Sequence, residues 1–278
     1  MATQIEILKK PTTEKPFLVI YKPKGLASAP LETDSSDNAL SQAVELFPEL
    51  KNVHGKKEIE YGLLHRLDTA TDGLMVIAAT QDCYDFLSLE QKEGRFIKYY
   101  EAECDILSEN AKELGGFPPL PLQVKKDLSL RVQKDLSLRG QKDLSLRGAL
   151  ATKQTISLTS FFRPYGEGRK EVRPVTEESG KAALSKLGKQ KLYTTSISIT
   201  KISDDKKTVF VECKITEGYR HQVRCHLAWA GLPVRGDLLY NSNSDIKKAE
   251  NLLFSATRIS FEYPKGDLNS YVRKDTWT

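Results

Sequence analysis

The run Gly73–Ala79, GLMVIAA, has seven residues and no polar side chain, and the eight positions before it, HRLDTATD, carry His65, Arg66, Asp68 and Asp72. A run this short and unbroken predicts a strand buried on both faces, so the chain must supply packing layers on either side. Charged residues at the mouth of such a strand need water, a partner or a function. Asp68 poses the sharpest question. Burial there favours the neutral acid, and a nearby arginine favours the carboxylate, Arg66 from its own segment or Arg224 from elsewhere. A carboxylate kept charged in dry surroundings can act as nucleophile or base. A salt bridge closing a strand end is the alternative.

The rest of the chain reads as strands with a few helices. Phe17–Tyr21 predicts a strand, followed by a Pro/Gly turn in which Lys22 and Lys24 beside Gly25 either touch phosphate or are solvated. Apolar residues at Ala39, Leu40, Ala43, Val44 and Phe47 predict a helix with Asp37 as N-cap and Pro48 at its end. A second helix, CYDFLSLEQKEG, closes at Gly94. FIKYYEAEC alternates, with Ile97, Tyr99 and Glu101 on one face and Lys98, Tyr100 and Ala102 on the other. On that pattern Tyr100 is either a half-buried sheet aromatic or a ring that stacks on a base. KLYTTSISIT and TVFVECKIT flank SDDKK as a hairpin. HQVRCHLAWAG has helical spacing through Val223, Leu227 and Ala230 and stops at Gly231, and LLFSATRISFEYP is a last strand or pair of strands. Strands joined by hairpins outnumber helices, which predicts an α+β fold with a largely antiparallel sheet.

Charge is uneven. The 278 residues carry a net +5, yet Gln123–Arg173 alone holds twelve Lys and Arg against five Asp and Glu. That excess suggests a polyanion partner or a solvated loop. Within it, KDLSLR recurs at Lys126, Lys134 and Lys142, a tandem duplication of the kind a surface loop tolerates. RPYGEGRKEVRP then reads as a basic loop. Its Arg163, Arg169, Lys170 and Arg173 interleave with Phe161, Phe162 and Tyr165, as in single-stranded RNA sites or as a hydrophobic anchor with basic flanks. Cys83, Cys104, Cys213 and Cys225 lack metal spacing and suit reduced thiols in a cytoplasm. His65, His221 and His226 suit structural hydrogen bonding, so no metal is expected. No stretch reaches the apolar length of a membrane span.

Taken in order, the motifs resemble the RluA-type pseudouridine synthases. HRLDTATDGLMVIA is similar to that family's signature. KPKGL at Lys22–Leu26, KYYEAEC around Tyr100, GKAALSKL at Gly180–Leu187 and GYRHQVRCHLAWAGLPVRGDLLY follow the family's other motifs, from about Phe17 to Pro264. The resemblance implies a pseudouridine synthase fold: a largely antiparallel mixed sheet in two half-domains flanking a central cleft. It implies a reaction too, in which uridine in RNA detaches from its ribose, rotates and rejoins through carbon 5 without cofactor or metal. Asp68 falls on the catalytic aspartate, the nucleophile. Tyr100 falls on the active-site tyrosine, Arg224 on the arginine that pairs with the aspartate, and Arg66 on the one that fills the stack vacated by a flipped nucleotide. Lys22, Lys24, His65, Arg163, Arg169, Lys170, Arg173, Arg220, His221 and Gln222 are the expected RNA contacts.

The sequence departs from the family pattern at Tyr219 and Arg220, where the family has Arg and Thr, at Leu238 and Asn241 in GDLLYN, and at Asp72. The basic repeat insertion, within 105–175, has no counterpart in the pattern. The expected organisation is an N-terminal extension over 1–16, a catalytic domain over 17–264 and a C-terminal tail over 265–278. The extension is too short for a separate RNA-binding module. The expected protein is a cytoplasmic monomer acting on ribosomal or transfer RNA, with no membrane contact. A catalytically silent RNA-binding protein or RNA chaperone on the same fold is the alternative. A carboxylate glycosidase would want two opposed acids, with Asp72 as the second.

Overall fold

The computed structural model describes residues 3–30, 37–106, 117, 155–187, 191–205, 207–241 and 251–273. The KDLSLR repeats and most of the basic insertion lie outside the described residues. The chain divides into two compact units: residues 1–100 with 216–218 and 254–278, and residues 101–215 with 219–253.

In the first unit, β1 (Glu6–Lys9) pairs antiparallel with β2 (Phe17–Lys22), and β2 with β3 (Asp72–Ala78). β3 runs parallel to β9 (Phe254–Glu262), and β10 (Leu268–Val272) pairs antiparallel with β9. Every residue of β3 is buried, as its unbroken apolar run requires. The segments 1–16 and 265–278 each add a strand, β1 and β10. Helix α1 spans Ala39–Leu46, and its cap is Asn38, not Asp37: the side-chain Oδ1 of Asn38 accepts from the Ser41 N–H, a bond that needs the cap three residues back. Helix α2 (Gln81–Lys92) starts from a Thr80 cap that accepts from the Cys83 N–H, and it is followed by Gly94 at φ +73°. The core gathers Phe17, Val19, Leu74, Val76, Leu87, Phe96, Ile259 and Phe261, with Phe96 stacked on Phe261 at 5.0 Å.

β4 (Ile97–Asp105) begins in the first unit and passes into the second at Glu101. Its alternation is as expected, with Lys98, Tyr100, Ala102 and Cys104 buried. The second unit is an antiparallel run in the order β8 (Thr208–Ile215), β7 (Tyr193–Ile202), β5 (Ile156–Tyr165), β6 (Glu171–Val175). The segment expected as a basic loop is therefore a hairpin. Arg163 and Arg173 face each other across it, and only Gly166–Lys170 form the turn. Pro164 and Pro174 obscure its alternation, and an edge strand such as β6 accepts proline because it has a side with no ladder to feed. Two short helices complete the unit, α3 (Lys181–Leu184) and α4 (Gln222–Trp229), every residue of α4 being buried. Among the described residues, the strand pairs given above are antiparallel apart from β3 with β9, and with four α-helices this is the mixed, largely antiparallel sheet of an α+β fold. All four cysteines are free and buried.

Candidate active site

Asp68 sits half-buried on the turn that leads into β3. The turn is closed by the Thr71 N–H donating to the Asp68 carbonyl at 3.0 Å, and it is tied to the KPKGL loop by the Gly25 N–H donating to Thr69 O at 2.9 Å. Beneath it lies Lys22, with no exposure at all. Its ammonium donates to Leu26 O at 2.8 Å, Pro23 O at 3.0 Å and Thr69 O at 3.4 Å. This corrects the expected phosphate contact: all three donors of Lys22 are used inside the protein, and it staples the two motif loops together. Burial pulls its pKa down to about 8, against the opposing charges of Asp72 and Asp68.

Asp72 is engaged inside the fold. It is buried and accepts from Tyr21 Oη at 2.6 Å and Ser255 Oγ at 2.7 Å, with Lys24 Nζ 3.7 Å away, so it ties β2, β3 and β9 together. Next to it, Gly73 at φ +133° allows the close approach of β9. A Cβ there would stand 2.3 Å from Ala256 O and 2.6 Å from Ala256 N.

Tyr100 is buried, 7% exposed, with its ring stacked on Phe254 at 5.1 Å and 5°. Burial, and then the negative charge of Asp68, raise its phenol above the ordinary value. Asp68 and Tyr100 are thus brought within one electrostatic environment. Arg66 is exposed and bonds Glu60 at 3.1 Å. His65 does not offer a hydrogen bond to RNA: both ring nitrogens are buried, neither has a hydrogen-bond partner, and the ring lies 5.8 Å from Phe96. Burial, and then the charge of Lys98, lower its pKa to about 3. Lys98, on the buried face of β4 with Tyr100, is itself lowered to about 8 by burial against the countering charge of Glu217.

In the second unit, Arg224 is buried on α4. Its Nε and Nη2 grip Asp237 at 2.8 and 2.7 Å, and Asp237 also accepts from the Leu239 and Tyr240 N–H groups. Tyr240 Oη accepts from the Val172 N–H at 2.9 Å and lies 3.0 Å from His221 Nδ1. His221 enters the helix from a left-handed conformation, φ +56°. Asp237 and Tyr240 are not among the residues expected from the sequence, and the structure shows them holding Arg224 and His221. Their signal was the acid and tyrosine of GDLLY, the only acid among the residues 219–241, downstream of a buried arginine.

Gln222 is corrected in the same way as Lys22. It is 2% exposed, donates to Thr194 O and Thr195 Oγ1, and accepts from the Tyr219 N–H. Arg173 is also buried. It pairs with Glu171 at 2.7 Å and lies over the rings of Phe117 and Tyr165 at 4.5 and 4.6 Å. Arg163 lies over Tyr165 at 4.9 Å. Arg169, Lys170 and Arg220 remain exposed. Among the described residues no His, Cys, Asp and Glu cluster could hold a metal ion, and no helix is long and apolar enough to cross a membrane.

The sequence pattern of a family described as RNA pseudouridylate synthase matches residues 16–229. The chain belongs to the RNA pseudouridylate synthase family. It is 21% identical over 255 residues to the ribosomal large subunit pseudouridine synthase D of Borreliella burgdorferi, an alignment covering 92% of this chain and 61% of that protein. It is 35% identical over 85 residues to the protein of the same name from Buchnera aphidicola, covering 31% of this chain and 26% of that one. The chain therefore spans less than two thirds of the length of either relative. Two solved human structures share the fold. RNA Pseudouridylate Synthase Domain Containing 1 has a TM-score of 0.61 at 16% identity, covering 99% of this chain and 85% of that one. RNA Pseudouridylate Synthase Domain Containing 4 has a TM-score of 0.55 at 17% identity, covering 96% and 87%. Both departures from the synthase pattern at the entry to α4 are engaged by the β5–β6 hairpin. Tyr219 stacks on Phe162, and Arg220 donates to the carbonyls of Arg169 and Glu171.

Proposed function

We propose that this synthase-family chain isomerises uridine to pseudouridine in ribosomal or transfer RNA, with Asp68 as the nucleophile. The observation that carries the reading is the setting of Asp68: half-buried on a turn fixed from below by Lys22 and sharing its environment with the buried Tyr100. A carboxylate so placed can attack the target nucleotide while the glycosidic bond breaks. The released base turns and re-bonds to the ribose through carbon 5 as the bond to the Asp68 carboxylate breaks and frees it, and the proton on carbon 5 leaves as the nitrogen gains one, so the reaction needs no redox partner. Tyr100, its phenol raised, keeps its proton at neutral pH and offers a ring face and a neutral hydroxyl. Arg224 is kept in the catalytic set on the strength of the resemblance alone, and Asp237 orients it on its own helix. The exposed Arg66 is assigned the gap left when the target base leaves the stack. The reading is of a cytoplasmic monomer that requires no cofactor.

The test is Asp68→Asn. The variant should bind RNA as the wild type does and form no pseudouridine. The names of the relatives make ribosomal large-subunit RNA the first substrate to try. Wild-type protein that forms no pseudouridine in total RNA from a synthase-deficient source would favour a catalytically silent RNA binder instead.

A further inference from the structure

The two residues that depart from the synthase pattern before α4 have structural partners that give them a purpose. Tyr219 is half-buried, its ring parallel to Phe162 at 5.1 Å and 8° and inclined to Tyr193 at 5.2 Å. Its backbone is fixed by Gln222, which is itself anchored on β7. Arg220 donates through Nη2 to the carbonyls of Arg169 and Glu171, so it holds the hairpin turn in place. That turn uses left-handed conformations at Gly166, Gly168 and Arg169, with φ of +77°, +64° and +54°, and its exposed cations are Arg169 and Lys170. Of the nearby acids, Glu171 is engaged by Arg173, which leaves Glu167 as the acid of the turn itself.

We propose that Tyr219, backed by Phe162 and Tyr193, and the turn cations Arg169, Lys170 and Arg220 form a surface for an unpaired RNA segment. The surface rests on the RNA-directed reading above and adds to it which strand form is gripped and where. Guanidinium and ammonium groups meet phosphates without regard to sequence. An aromatic ring held rigid from behind loses little freedom when a base stacks on it, and each such stack contributes substantially to single-strand affinity. Bases inside a duplex are already stacked and cannot use the ring, so the surface discriminates for unpaired RNA. The half-buried Arg163 and the buried Arg173 contribute by stiffening the hairpin around Tyr165.

The experiment measures binding of the full chain to an unstructured oligouridylate of about ten nucleotides and to a duplex RNA of the same length, over a series of salt concentrations. Tyr219→Leu keeps the packing on Phe162 and removes the aromatic face. It should weaken oligouridylate binding about tenfold, leave the salt slope unchanged and spare the duplex, and Tyr219→Trp should restore affinity. Arg169→Ala with Lys170→Ala should reduce the slope of log K against log salt on the oligouridylate by about 1.4. Wild-type affinity in Tyr219→Leu, an unaltered slope in the double variant, or equal loss on the duplex would each overturn the surface. Pseudouridine formation separates the two readings. Isomerisation without these binding effects removes the surface alone, and these effects without isomerisation keep the surface and remove the catalytic reading.

Discussion

Arg224 and Asp237 meet in a two-point fork in which the aspartate side chain has no exposure and the arginine side chain 6%. Neither charge can be left behind cheaply, because a buried ion that loses its partner keeps its desolvation cost. Asp237→Asn should therefore destabilise the protein by about 3–5 kcal/mol in urea denaturation at neutral pH. Asp237→Leu with Arg224→Met should recover part of that, short of all of it, since the Leu239 and Tyr240 N–H groups also lose their acceptor. A loss below about 1 kcal/mol in Asp237→Asn would show that the fork behaves as a surface pair.

Gly73→Ala tests the mouth of β3. The added methyl would meet the backbone of Ala256 at 2.3 and 2.6 Å from a backbone at φ +133°. Strain and overpacking together should cost at least about 3 kcal/mol. Ala256→Gly should not rescue it, because the carbonyl and amide in the way remain after the Ala256 side chain is gone. A well-folded Gly73→Ala protein of near wild-type stability would mean that β3 and β9 can part at no cost.

Two buried lysines and four buried thiols act on the alkaline behaviour in opposite senses. Lys22 and Lys98 are both lowered to about 8, and in the unfolded chain they titrate near 10.4. Between those values the unfolded state holds protons that the folded state has released, so stability rises with pH, by up to about 1.4 kcal/mol per pH unit for each lysine. The four buried thiols, all raised by burial, act in the opposite sense from about pH 8.5 upward, as does the raised phenol of Tyr100 above pH 10, so one amine is isolated by comparing variants. Urea denaturation of the wild type and Lys98→Met at pH 8 and 9.5 should show the stability of the wild type relative to the variant rising by up to about 2 kcal/mol. A difference between the two proteins that stays constant from pH 8 to 9.5 would contradict the burial assigned to the Lys98 amine.

The elements with one clear period were legible in the sequence: the apolar run of β3, the alternation of β4, the β7–β8 hairpin, and the helices that end near Gly94 and Gly231. The β5–β6 hairpin was not, because Pro164, opposite Val172, and Pro174, opposite Phe162, read as loop signals. Strand β1 offers only Ile7 and Leu8 as apolar residues and borrows its order from β2. Asp68 draws attention in the sequence because a carboxylate before a dry strand demands a reason, and the fold puts Tyr100 within reach of its charge. Lys22 and Gln222 were misread for one shared cause. Hydropathy places lysine and glutamine in water, whereas here they are held by backbone carbonyls distant in sequence, such as Thr69 for Lys22 and Thr194 for Gln222. Asp237 was missed because its role exists only once α4 has brought Arg224 to it.

The acid limb turns on two histidines that look alike by charge and differ in bonding. His65 and His226 are both lowered to about 3 by burial, against an unfolded value near 6.5. As pH falls below 6.5 the unfolded chain takes up protons that the folded protein refuses. Each histidine should then remove up to about 1.4 kcal/mol of stability per pH unit, down to about pH 3. His226 bonds Ser160 Oγ at 2.9 Å and Thr195 Oγ1 at 2.8 Å, whereas both nitrogens of His65 are buried without partners. Replacing either one by leucine should flatten the decline between pH 7 and 5. At pH 7 the two replacements should act in opposite directions. His65→Leu removes two unsatisfied polar atoms and should stabilise by about 1–3 kcal/mol, while His226→Leu takes a partner from the Ser160 hydroxyl and leaves Thr195 Oγ1 with the Gln222 donor, and should destabilise by a similar amount. Urea denaturation of both variants at the two pH values decides it: a less stable His65→Leu at pH 7 would mean that the ring nitrogens are satisfied after all.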